Sequence, residues 1–148
     1  MQGKTVLITG ASRGIGAATA RIFAQAGANV ALAARSADAV GELASEIGDR
    51  ALALPCDVSD YSAVAAAVAA CQSKFGGLDV LIGNAGVIEP IAPLAAVDPD
   101  EWGKVIDINL KGVFYGMRAA MPVMQAAGGG TILTIRLVTD SCTATTTA

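Results

Sequence analysis

The sequence predicts an α/β domain on a parallel, doubly wound sheet, and three observations predict it. Short strand-like runs alternate with longer segments of helical pattern along the chain. The runs are continuously apolar instead of alternating with polar residues, as expected of strands covered on both faces. A glycine-rich turn, Gly10 to Gly16, lies directly between the first run and the first helical segment.

Each element follows from local residues. Lys4 to Thr9 (KTVLIT) is a β-branched run and the first strand. Ile15 to Ala26 follows as a helix, with Ile22 and Phe23 among its apolar positions and Gly27 where a C-terminal cap belongs. Asn29 to Ala34 (NVALAA) is the second strand; Ser36 caps a helix to Ile47, closed by Gly48. Ala51 to Leu54 is the third strand, left through Pro55 to Asp57, and Ser59 or Asp60 caps a helix through Lys74. Asp79 to Ile82 is the fourth strand, ending in Gly83-Asn84-Ala85-Gly86. A loop with Pro90 and Pro93 follows; its Ile88, Pro90, Ile91 and Leu94 have two readings, one wall of a pocket or a plain packed loop, and the packed loop is the one expected. Asp98-Pro99-Asp100-Glu101 starts a helix, with a cap, Pro at the first position and early negative charge. That helix is expected to reach about Ala126 with a bend on the way. Gly128 to Gly130 break it, and Thr131 to about Ile135 is the fifth strand.

Composition excludes several functions. The 148 residues suit one domain, with 53% apolar but only 4% aromatic residues. Ala and Gly abundance points to close-packed backbones. A net charge of −3 offers no basic footprint for nucleic acid. No histidine is present, which removes His-based triads and His metal ligands. Three scattered cysteines, with no CxxC, indicate free thiols and a cytoplasmic setting; no metal site is expected. No apolar stretch reaches membrane-spanning length, and the glycines interrupt any N-terminal leader-like run.

The strongest chemical signal is Gly10, Ser12, Arg13, Gly14, Ile15 and Gly16. Small residues let the backbone turn tightly and approach a pyrophosphate, while a helix N-terminus supplies unpaired N–H groups and the positive end of a dipole. The position and residues point to nucleotide binding.

The spacing here is GxxxGxG, not GxGxxG. With Asp57-Val58 after the third strand, Asn84-Ala85-Gly86 after the fourth and Asn109 in Ile108-Asn109-Leu110-Lys111-Gly112, the chain resembles the classical short-chain dehydrogenase/reductase family from residue 3 to about 135. The resemblance implies a Rossmann-like sheet of order 3-2-1-4-5 and an oxidoreductase acting on a carbonyl or alcohol. It implies that Asp57 contacts the adenine amine, that Asn84, Ala85 and Gly86 lie beside the nucleotide, and that Asn109 occupies a catalytic position supporting a proton-relay water. A bland alternative stands beside each: Asp57 capping a turn, Asn84 tying two strands, Asn109 a buried and satisfied helix residue.

Cofactor choice has a physical argument. A carboxylate at the end of the second strand ordinarily holds the ribose 2′-OH of NAD. Ala34 stands there, followed by Arg35, with Arg13 inside the glycine loop. Two guanidinium groups and no carboxylate favour a 2′-phosphate, hence NADP(H) over NAD(H).

The chain departs from the family in its catalytic half. Aligning the fifth strand puts Leu137 at the family's Ser position, and nothing promotes Ser141. The family's YxxxK is missing, since Tyr61 and Tyr115 are followed four residues on by Ala65 and Ala119. Residues 1–135 are therefore expected to form an NADP-binding Rossmann domain and 136–148 an irregular tail, with the change at Arg136 read as a truncation or frameshift. The chain is expected to be inactive as given, either a non-catalytic NADP-binding protein or an unstable fragment. The fifth strand is expected to be a bare edge beside an uncovered helix face carrying Val113, Phe114, Met117 and Met121, which puts a family-type homo-oligomer in doubt.

Overall fold

A computed structural model describes residues 1–135; the expectations for Leu137, Ser141 and the 136–148 tail lie outside the described residues. Five strands form one parallel sheet in the order β3-β2-β1-β4-β5. They are β1 (Thr5–Thr9), β2 (Asn29–Ala34), β3 (Ala51–Pro55), β4 (Val80–Gly83) and β5 (Thr131–Thr134). The helices are α1 (Gly14–Gln25), α2 (Ala37–Ile47), α3 (Tyr61–Phe75), α4 (Pro99–Ile106) and α5 (Gly112–Ala126).

Alternate residues of each central strand face opposite layers, because side chains in a strand have a period of two. Val6, Ile8, Val30, Leu32, Val80 and Ile82 bury one face, together with Ala17 and Ala20 of α1 and Val40 and Leu43 of α2. Leu7, Ala31, Ala33 and Leu81 bury the other, together with Val64, Val68 and Cys71 of α3 and Ala120 and Met124 of α5. Small strand residues such as Ala31 and Ala33 let the helices approach the sheet closely.

Helix caps follow the sequence signals. Ser36 Oγ accepts from Ala39 N, Asp60 from Ser62 N, and Asp98 from Asp100 and Glu101 N. Asp60, and not Ser59, therefore caps α3.

Several expectations need correction. The single bent helix from Asp98 to Ala126 is two α-helices joined by a π-helical segment, Asp107–Lys111, which contains Asn109. Pro55 is the last residue of β3, tolerated because β3 is an edge strand among the described residues. The helix expected from Ile15 to Ala26 is α1, which buries Gly16, Ala17 and Ala20 and leaves Ile22 exposed. The loop after β4 is not packed: Ile88, Ile91 and Leu94 are exposed, with a single 3₁₀ turn at Leu94–Ala96. As expected, β5 is the terminal strand of the sheet among the described residues and is mostly exposed, and Phe114 and Met121 on α5 are exposed.

Candidate functional site

The C-terminal ends of β1, β2, β3 and β4 open onto one groove of about 630 Å³. In a doubly wound sheet this is where ligands sit, at the point where strand order reverses on either side of β1. Gly10, Ser12, Arg13, Gly14 and Ile15 line it from the β1–α1 turn and Arg35 from the end of β2. Asp57 and Val58 contribute from the turn after β3, and Asn84, Ala85 and Gly86 from the turn after β4. Eleven of the expected residues thus meet in one place.

Gly16 and Asn109 do not line the groove. Gly16 is a packing residue: a Cβ there would meet the Gly10 carbonyl oxygen and lie 2.6 Å from Asn84 Nδ2. Gly10 adopts φ +66, and its missing Cβ leaves room for Ala85 Cα, 2.8 Å from where that atom would be.

Asn109 is exposed, not buried as its bland alternative supposed. It is fully engaged: its Oδ1 accepts from Val87 N at 2.9 Å and its Nδ2 donates to Val87 O at 2.8 Å. The π-helical segment therefore holds the start of the loop after β4, and Val87 and Ile108 join the groove lining.

Thr9, which sequence reasoning left outside the site, organises its floor. Its buried hydroxyl accepts from Asn84 N and Ala85 N, each at 3.0 Å, and donates to Ile82 O at 3.4 Å. Asn84 Nδ2 in turn donates to Thr9 O at 2.9 Å and Gly10 O at 3.2 Å. Asn84 does tie two strands, and in doing so sets the position of the glycine turn. Cys56, Ser36 and Ala39 also line the groove unforeseen. The Cys56 thiol is pushed up to about 11 by burial and by the charges of Asp57 and Asp60, which keeps it protonated at neutral pH.

The electrostatics are asymmetric. α2, α3 and α4 have side-chain caps, whereas Arg13 gives α1 none and its first turn holds no acidic residue. The first N–H groups of α1 are thus available to an anion. Arg13 and Arg35 are exposed at the groove and pair with no carboxylate among the described residues. Asp57 accepts from Ser59 N at 2.9 Å and Ser59 Oγ at 2.7 Å. These two bonds, with help from the Arg35 charge, hold its carboxyl below the usual carboxylate range.

This arrangement fits a dinucleotide. The open α1 terminus and glycine turn suit a pyrophosphate, and the free guanidinium groups suit a further anionic group. Among the described residues no cluster of three or more His, Cys, Asp or Glu stands ready for a metal, and no helix is long and apolar enough to cross a membrane.

Comparison with known proteins agrees with this geometry. Residues 4–140 match the family model described as short chain dehydrogenase. The chain is 43% identical over 134 residues to cis-4-hydroxycyclohexanecarboxylate dehydrogenase of Sinomonas cyclohexanicum, covering 89% of this chain and 54% of that protein. It is 40% identical to galactitol 2-dehydrogenase of Agrobacterium fabrum, covering 90% of this chain and 52% of that protein. Among solved structures, 3-ketoacyl-(acyl-carrier-protein) reductase from Brucella melitensis, complexed with NADH, superposes with a TM-score of 0.86 at 38% identity, over 90% of this chain and 57% of that one. A metagenomic short-chain oxidoreductase in complex with NADP gives 0.84 at 39% identity, over 90% and 62%. The chain spans about half the length of the curated relatives it matches.

Proposed function

The chain belongs to the short-chain dehydrogenase family, and on that premise we propose that residues 1–135 form an NADP(H)-binding unit of an oxidoreductase acting on carbonyl or alcohol groups. The observation that carries this reading is the α1 N-terminus, left without a side-chain cap where it meets the groove. The turn from Gly10 to Gly16 takes the pyrophosphate there. Asp57 and Val58 take the adenine, and Asn84, Ala85 and Gly86 lie along the nucleotide towards its nicotinamide half. When bound, the nicotinamide supplies or accepts the hydride.

NADP(H) is favoured over NAD(H). The related solved complexes hold NADH in one case and NADP in the other, so they support a nicotinamide cofactor without choosing. The choice rests on Arg13 and Arg35, which lack carboxylate partners among the described residues, and on Ala34, where a ribose-binding carboxylate would repel a 2′-phosphate. The buried thiols of Cys56 and Cys71 favour a cytoplasmic setting.

The 148 residues bind cofactor but do not by themselves reduce a carbonyl. Proton transfer to the substrate oxygen needs a titratable donor, and Asn109, the one catalytic-position residue retained, has none and spends both ends of its amide on Val87. No Tyr has a Lys four residues later. A carbonyl-reduction assay with NADPH tests this: background rates are expected beside saturable NADPH binding, and turnover well above background would contradict it.

A further inference from the structure

Gly112 follows the π-helical segment and opens α5, with φ −58 and ψ −39, an ordinary helical conformation. Nothing in the backbone asks for glycine there, and alanine would favour the helix. The reason is spatial. A Cβ on Gly112 would lie 2.9 Å from Val58 Cγ2, 3.1 Å from Val58 Cβ and 3.3 Å from Val58 O. Val58 cannot simply swing aside, because it is 7% exposed within the core shared by α3, α5 and the sheet, and its branched side chain is stiff at χ1. Its neighbour Asp57 is pinned by two bonds to Ser59. Val58 also lines the groove, as does Ile108 from the segment before Gly112. The missing side chain at residue 112 therefore sets how closely this helix approaches the turn after β3.

We propose that Gly112 is a positioning residue for the nucleotide site: by admitting Val58 against α5, it fixes the Asp57–Val58 wall against which an adenine ring packs. The inference rests on the nucleotide reading of the groove. Gly112 lines no part of the groove itself and acts through Val58, so most of its effect should go when the Val58 side chain is cut back to its Cβ, which removes the 2.9 Å contact to Cγ2.

The test is a double-mutant cycle on the full 148-residue chain, with NADPH and adenosine 2′,5′-bisphosphate as probes, titrated by calorimetry. Gly112→Ala is expected to weaken both probes about tenfold, because both carry the adenine. In the background of Val58→Ala, which removes the methyl groups in the way, adding Gly112→Ala is expected to change affinity less than twofold. That rescue separates positioning from a general loss of helix packing, and it serves equally if Gly112→Ala alone does not fold. The methyl resonances of Val58 should also shift in Gly112→Ala without ligand. Wild-type-like binding by Gly112→Ala, or a further loss of about tenfold when Gly112→Ala is added to Val58→Ala, overturns the inference alone. Failure of the wild-type chain to bind either probe overturns the nucleotide reading and the inference with it.

Discussion

Thr9 and Asn84 are joined in both directions: the Thr9 hydroxyl accepts from Asn84 N at 3.0 Å, and Asn84 Nδ2 donates to Thr9 O at 2.9 Å. The pair fastens the C-terminal end of β1 to that of β4, and the groove lies directly on this seam. Thr9→Val keeps the shape and removes the hydroxyl, leaving the N–H groups of Asn84 and Ala85 without their acceptor. The expected cost is about 2 kcal/mol. Thr9→Ser keeps the acceptor and should lose less than about 1 kcal/mol. Urea unfolding of the two variants measures the difference, and equal losses would show that the hydroxyl is not what matters.

The glycines of the β1–α1 turn should differ in their response to alanine. Gly14 adopts φ +56 with open space where a Cβ would go, so Gly14→Ala carries only backbone strain, about 1 kcal/mol. Gly16 is buried, and a Cβ there meets the Gly10 carbonyl, which is backbone and cannot rotate away. Gly16→Ala should therefore cost about 3 kcal/mol or more and abolish NADPH binding. Paired unfolding curves and NADPH titrations check the order, and Gly14→Ala proving the worse would reverse it.

Acid stability should carry the signature of Asp57. Ser59, through its N–H and hydroxyl, holds the folded-state carboxyl below its unfolded value of about 3.9. A depressed folded pKa stabilises the protein fully above the unfolded value, and that contribution is lost as pH falls through the folded one. Asp57→Asn keeps an acceptor for Ser59 but removes the titration. Its unfolding free energy should fall less steeply than the wild type's below about pH 4. Parallel acid limbs for the two proteins would remove Asp57 from the account.

The fold was legible where residues mark their own positions. Ser36 and Gly48 bracket α2, the β-branched Thr5–Thr9 run marks β1, and Asp98-Pro99 marks the start of α4. The π-helical segment was not legible, because a shift in backbone pairing from Asp107 to Lys111 leaves no compositional trace. Which face of α1 is buried was not legible either: Gly16, Ala17 and Ala20 fill its interface, while the apolar Ile22 is exposed. At the site, the glycine turn, Arg35, Asp57 and Asn84 could be read because each follows the C-terminal end of a strand. Thr9 could not be read as its organiser. Its role is a hydroxyl meeting two backbone N–H groups 75 and 76 residues away, a relationship that exists only after β1 and β4 pair.

We propose that the groove holds NADP(H) and selects it through Arg13 and Arg35. The most direct measurement is fluorescence titration of the wild-type chain and of the double variant Arg13→Ala/Arg35→Ala with NADPH and with NADH. Charge-assisted bonds of about 1.5 kcal/mol or more predict that the wild type binds NADPH at least about tenfold more tightly than NADH. The double variant should lose most of that preference while binding NADH nearly as before. Equal affinity of the wild type for the two cofactors, or an unchanged preference in the double variant, would contradict the account.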